Sequence, residues 1–156
     1  MDEQITILRG LMGGDYFGFK GDFYDIPDLK LCPVPSQPVP ILIGGHSKLA
    51  LKRAAKLGDG WISAGITLEE TKDFINQINS YREEFGTLDH PNYQFQVMGE
   101  AAYSPDGVKA LEDLGATEVI VAFRNAYEGG PDERTLDSMK AEISWYAEEV
   151  INKFRT

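Results

Sequence analysis

Pro40-Ile-Leu-Ile-Gly-Gly-His-Ser47 is the stretch on which the reading of the whole chain turns. Ile41, Leu42 and Ile43 form a short, wholly apolar run, the pattern of a strand buried on both faces. Two glycines follow directly, and Ser47 begins a predicted helix over 47–57 that Gly58 ends. The spacing therefore predicts a β-then-α unit with a glycine pair at its junction. Backbone approaches a ligand closely where no Cβ intervenes, and the free amides of a helix N-terminus favour an anion. Phosphate suits such a site without any lysine or arginine. Taken alone, Gly44-Gly45 reads first as a tight turn. It lacks the third glycine of the dinucleotide fingerprint and the Gly-Lys-Ser/Thr of the P-loop. His46 is open between phosphate donor, base and solvated loop residue.

Downstream the same alternation repeats. Trp61-Ile-Ser-Ala64 reads as a strand, and Thr67-Leu-Glu-Glu70 is a capping box opening a helix with Leu68, Thr71, Ile75, Ile78 and Phe85 inward, ended by Gly86. Tyr93 to Tyr103 reads as a third strand. Ser104-Pro105 supplies an N-cap with proline at the first helical position, and Gly115 closes that helix. Val119 to Phe123 is a fourth strand. An acidic, glycine-rich loop and a last helix follow, with Leu136, Met139, Ile143, Val150 and Phe154 on one face. Four β/α units imply parallel pairing through right-handed crossovers, in either a doubly wound sheet or part of an eight-fold barrel.

Upstream, Asp2 to Met12 carries Ile5, Leu8, Leu11 and Met12 at helical spacing before Gly13-Gly14. Aromatic residues then alternate with glycines from Asp15 to Tyr24, which suits a small hairpin packed on a larger body. Cys32 to Pro40 contains four prolines and reads as an extended connector.

Composition narrows the function classes. The 156 residues, 42% of them hydrophobic, suit one domain, 1–156. A formal charge of −10 argues against a nucleic-acid or anionic-membrane surface. One cysteine, expected to be packed, and two histidines provide neither an internal disulfide nor a zinc cluster, so no metal is expected. With no long apolar span and no signal-peptide pattern at the N-terminus, the expected compartment is the cytoplasm.

A longer string adds specificity. Pro33-Val-Pro-Ser-Gln-Pro-Val-Pro-Ile-Leu-Ile-Gly-Gly-His-Ser47, then Arg53-Ala-Ala55, then Gly58-Asp-Gly-Trp61 closely resembles the luciferase-like monooxygenase superfamily, especially its coenzyme F420-dependent oxidoreductases. Phe17 to Tyr24 resembles the aromatic insertion of the same family. The resemblance implies an α/β fold of the TIM (β/α)8-barrel family, here about four units, strands five to eight, as a C-terminal half-barrel. It implies a cofactor at the C-terminal ends of the strands, with coenzyme F420 the first expectation and FMN the alternative. Gly44, Gly45, His46 and Ser47 would hold its phosphate, and Ser63, Ala64 and Gly65 end the next strand on the same side.

The expected activity is hydride transfer to or from a small organic substrate. The alternatives are an FMN-dependent monooxygenase and a non-catalytic half-barrel module. No residue is assigned a catalytic role. Gly58-Asp59-Gly60-Trp61 falls on the barrel floor and reads as structural. Arg124, Asn125, Glu100 and Tyr103 are weaker candidates for ligand contact, and the acidic run Glu128 to Glu133 reads as a solvated loop. Two open sheet edges, at Ile41–Ile43 and Val119–Phe123, predict a homodimer or a complex with an N-terminal half-barrel, unless the first helix and the aromatic stretch cap an edge.

Overall fold

A computed structural model of the chain describes residues 1–124 and 129–154. Asn125 and Glu128, named above, lie outside them. The chain opens with α1 (Asp2–Met12), followed by an antiparallel hairpin of β1 (Phe17–Lys20) and β2 (Asp25–Leu29). Alternating elements come next: β3 (Leu42–Gly44), α2 (Lys48–Leu57), β4 (Gly60–Ile62), α3 (Leu68–Phe85) and β5 (Gln94–Met98). A 3-10 turn (Glu100–Tyr103), α4 (Pro105–Asp113), β6 (Glu118–Ile120), α5 (Leu136–Glu149) and a closing 3-10 turn (Ile151–Lys153) complete it.

β3, β4, β5 and β6 form one sheet in that order, with every neighbouring pair parallel. Sequence order equals spatial order, as four successive β/α crossovers require. Side chains alternate across the sheet. Ile43, Trp61, Phe95 and Val97 are buried and join Leu51, Ala54 and Ala55 of α2, Ile75 and Ile78 of α3 and Leu111 of α4 in one core.

Local chemistry sets the helix ends. Ser47, Thr67, Ser104 and Thr135 each accept a backbone N–H three residues on. Gly86 takes the left-handed conformation, φ 68°, that lets its amide reach back to Arg82 and Glu83 at the end of α3.

The hairpin is fastened to α1 by a carboxylate. Glu3 Oε1 accepts the amide of Asp22 at 2.8 Å, and Oε2 accepts those of Phe23 and Tyr24 at 3.1 Å each. Gln4 Nε2 donates to the Tyr24 hydroxyl at 2.7 Å.

Some expectations shift. Cys32 is exposed rather than packed. In α1 the buried residues are Ile5 and Ile7, while Leu8 is exposed. Tyr93 to Tyr103 divides at Gly99, where a Cβ would collide with the carbonyl of Ile66 and the chain turns into the 3-10 segment. α5 docks through Tyr146 and Val150, whereas Leu136 and Ile143, expected inward, are 66% and 57% exposed. Among the described residues no helix is long and apolar enough to cross a membrane.

Candidate functional site

The glycine pair lies where β3 leaves the sheet. Gly44 pairs with Ile62, its register partner on β4, so residues 45–47 and 63–65 emerge side by side from the same, C-terminal end. Gly45 has φ 112°, a conformation that L side chains rarely adopt, and a Cβ there would stand 3.1 Å from the Ala50 Cβ. This backbone turns the chain from strand into α2 with Ser47 as N-cap. Ser47 Oγ accepts the Ala50 amide at 3.3 Å. Among the described residues the amides of His46, Ser47, Lys48 and Leu49 donate no hydrogen bond. Gly44 through Leu49 are exposed, so these donors form the open, electropositive end of α2.

Two rings and one indole hold this loop. Trp61 is fully buried, and its Nε1 donates to the Gly45 carbonyl at 2.9 Å. The His46 ring stacks on Phe74 of α3, with centroids 5.1 Å apart and planes 18° from parallel. His46 Nε2 accepts the Ala64 amide at 3.4 Å, which bridges the ends of β3 and β4. The seven residues expected at the site therefore gather at one end of two adjacent strands.

Their individual roles differ. Ser63 is only 3% exposed, and its Oγ accepts the Met98 amide at 3.0 Å, so this hydroxyl locks β4 to β5. Ala64 and Gly65 are exposed, the latter with φ 61° and open space around it. Beneath them Thr67 and Glu70 form a reciprocal capping box, with the Thr67 amide donating to Glu70 Oε2 at 2.8 Å. Hydrogen bonds from the Thr67 backbone and then its side chain hold the Glu70 carboxyl below its ordinary pKa, and nearby His46 adds to the effect.

The weaker candidates are engaged elsewhere. The Tyr103 hydroxyl donates to the Ala122 carbonyl at 2.6 Å and accepts its amide at 3.0 Å, which fastens the loop after β5 to the one after β6. Arg124 Nη2 donates to the Gly130 carbonyl at 2.8 Å. Glu100 is exposed on its 3-10 turn. In the acidic loop, hydrogen bonds from Arg134 hold the Asp132 carboxyl far below the usual carboxylate range.

Gly58-Asp59-Gly60 sits at the opposite end, and Asp59 is its hub. Its Oδ2 accepts the Ile41 amide at 2.7 Å and Arg9 Nη2 at 2.8 Å, while its Oδ1 lies 3.3 Å from His90 Nε2. One carboxylate thus ties α1 to the starts of β3, β4 and β5. A concavity of about 340 Å³ opens there, lined by Arg9, Asp59, His90 and Tyr93 among others. The Tyr93 hydroxyl is buried without a partner among the described residues, and burial pushes its pKa above the ordinary value. This end holds the strands in register and is remote from the glycine loop.

Trp61 and Phe74 are the positioning residues that sequence reasoning missed. Trp61 was visible only as the end of a structural motif and the start of a strand. Its bond to Gly45 depends on parallel pairing of β3 with β4, a contact between residues 16 apart.

Comparison with known proteins bears on the family and the fold. The family model for luciferase-like monooxygenases matches residues 1–142. The uncharacterized protein Rv0940c of Mycobacterium tuberculosis is 45% identical over 98% of this chain and 52% of its own length. An F420-dependent glucose-6-phosphate dehydrogenase of Amycolatopsis mediterranei is 40% identical over 71% of this chain and 34% of its own. The chain thus spans about half, or less, of the curated relatives it matches. An F420-dependent secondary alcohol dehydrogenase, solved with an F420-acetone adduct, superposes with a TM-score of 0.56 at 22% identity, over 62% of this chain and 30% of that one. That likeness shows the fold: the parallel sheet and its helices are part of a (β/α)8 barrel.

Proposed function

This chain belongs to the luciferase-like monooxygenase family, and from that premise we propose that it supplies the cofactor-phosphate-binding end of a deazaflavin- or flavin-dependent oxidoreductase. The observation that carries the reading is the set of four undonated amides, His46 to Leu49, behind a glycine pair at the C-terminal edge of the sheet. Barrel active sites lie at that edge.

The residues fit a phosphate. The His46, Ser47, Lys48 and Leu49 amides supply donors, the α2 dipole favours the negative charge, and Gly45, whose positive φ and closeness to Ala50 suit no side chain, sets the turn that exposes them. Ser47 keeps its oxygen on the Ala50 amide while its hydroxyl proton is free to donate. Trp61 and Phe74 hold the loop in this shape, so little ordering accompanies binding. When bound, the cofactor supplies hydride chemistry with an organic substrate, and the protein contributes binding and orientation.

Coenzyme F420 is the first choice because a 40% identical relative is named for dependence on it. FMN presents a phosphate to the same amides and is the second. Titration of the purified chain with F420, FMN and inorganic phosphate tests both. Saturable binding of at least one cofactor is expected, and Gly45→Val should weaken it at least tenfold. Lost charge-assisted contacts are worth on the order of 1.5 to 3 kcal/mol each. Unchanged affinity in a folded Gly45→Val variant would remove the assignment.

A further inference from the structure

The end of the sheet opposite the glycine loop holds hydrogen-bonding groups that the framework does not use. Its concavity of about 340 Å³ lies between α1, the end of α2 and the entry to β5, walled by Ile5, Arg9, Ala55, Leu57 and Tyr93 and rimmed by exposed Lys56. That volume suits a small molecule. Tyr93 is only 8% exposed, and its hydroxyl meets no partner among the described residues. Next to it lies Arg82, also buried, with its guanidinium 3.9 Å from the Tyr93 ring centroid. Arg82 donates to Asn79 Oδ1 and to the Thr87 and Leu88 carbonyls, all neutral groups, and its Nε likewise meets no partner among the described residues. The two unsatisfied buried side chains are thus stacked on each other, one of them in the wall of the cleft. Native interiors rarely leave such groups unpaired, so each calls for a reason.

The charge of the cleft points the same way. Asp59 is the one carboxylate lining it, and the Ile41 amide, Arg9 and His90 already face its oxygens. Arg9 reaches the Leu57 carbonyl and Asp59 through Nη2, which leaves Nη1 and Nε to donate. The unspent capacity is therefore that of donors. We propose that this cleft binds a small organic carboxylate, its oxygens held by Arg9 and the Tyr93 hydroxyl and its short apolar chain laid on Ile5, Ala55 and Leu57. Asp59 opposes a dianion such as phosphate, and the apolar wall favours a hydrocarbon tail. Burial raises the Tyr93 pKa, so at neutral pH the hydroxyl keeps its proton and donates it to the ligand's oxygen. The cleft and the glycine loop lie at opposite ends of the strands, and neither reading depends on the other.

Backbone amide NMR titrations of the 156-residue chain with acetate, butyrate and hexanoate test it, with butylammonium as the probe of opposite charge. Hexanoate should give saturable shifts at Arg9, Leu57, Gly58, His90 and Tyr93, and affinity should rise from acetate to hexanoate. Tyr93→Phe removes a hydroxyl that has no partner, so the melting temperature should hold or rise while hexanoate binds about tenfold more weakly. A hydroxyl with only a packing role would leave the affinity unchanged. Arg9→Lys, which keeps a cation beside Asp59, should retain part of the binding that Arg9→Gln loses. Equal affinity of Tyr93→Phe and wild type, butylammonium binding as tightly as butyrate, shifts confined to the glycine loop, or no saturable shift at millimolar hexanoate would each overturn the proposal.

Discussion

At the scale of single residues, the glycine loop depends on contacts made by groups outside it. Trp61 fixes the Gly45 carbonyl and so the direction in which the following amides point. Trp61→Phe keeps most of the buried ring and removes the N–H, a loss of about 0.5 to 1.5 kcal/mol. Cofactor affinity should fall by about three- to tenfold, measured by titration on a variant whose far-ultraviolet spectrum matches wild type. At the other end of the strands Asp59 collects an amide, a guanidinium and an imidazole. Asp59→Ala leaves the Ile41 amide without its acceptor and should lower stability by about 2 to 3 kcal/mol, read from the denaturation midpoint. Cofactor affinity, extrapolated to the folded population, should change little. These two variants separate a positioning role from a framework role inside one four-residue motif.

Elements show which parts of the fold a sequence discloses. Ser47, Thr67, Ser104 and Thr135 each cap the helix that follows. The first three were legible because a cap and its helix are separated by only a few residues. The strands were harder: β4 and β6 each hold three residues, fewer than the runs 61–64 and 119–123 read as strands. The apolar face read on α5 is real in sequence, but only Val150 of its five residues is buried, since burial depends on what stands opposite. Gly44 to Ser47 was legible as a strand-to-helix junction from local pattern alone. The stacking of His46 on Phe74 was not, because it joins two elements.

α3 also carries a pH signature. The Glu70 carboxyl is held below its ordinary value by its bonds to Thr67, so its share of stability is present above the unfolded pKa and is lost as pH falls through the lowered folded value. Glu70→Gln, which can still reach the Thr67 amide but does not titrate, should flatten that acid-side loss in melting curves between neutral and strongly acidic pH. Thr67→Ala should cost about 1 kcal/mol at neutral pH, measured by denaturation.

At the scale of the whole molecule, the chain presents the glycine loop at one end of the sheet and a framework end at the other. The face between them carries Gln94, Gln96 and Glu118. A chain that covers about half of its relatives is expected to bind more readily than it catalyses. The purified 156-residue protein should therefore show little or no turnover with reduced F420 or FMN. Robust turnover without a partner would mean that catalytic groups lie within these elements. The most direct measurement is a backbone amide NMR titration of the labelled chain with F420, repeated with FMN. Binding at the glycine loop predicts saturable shifts concentrated on Gly45, His46, Ser47, Lys48 and Leu49, with smaller ones at Ala64 and Gly65. Shifts confined to Arg9, Asp59 and His90 at the far end of the strands, or none with either cofactor, would contradict it.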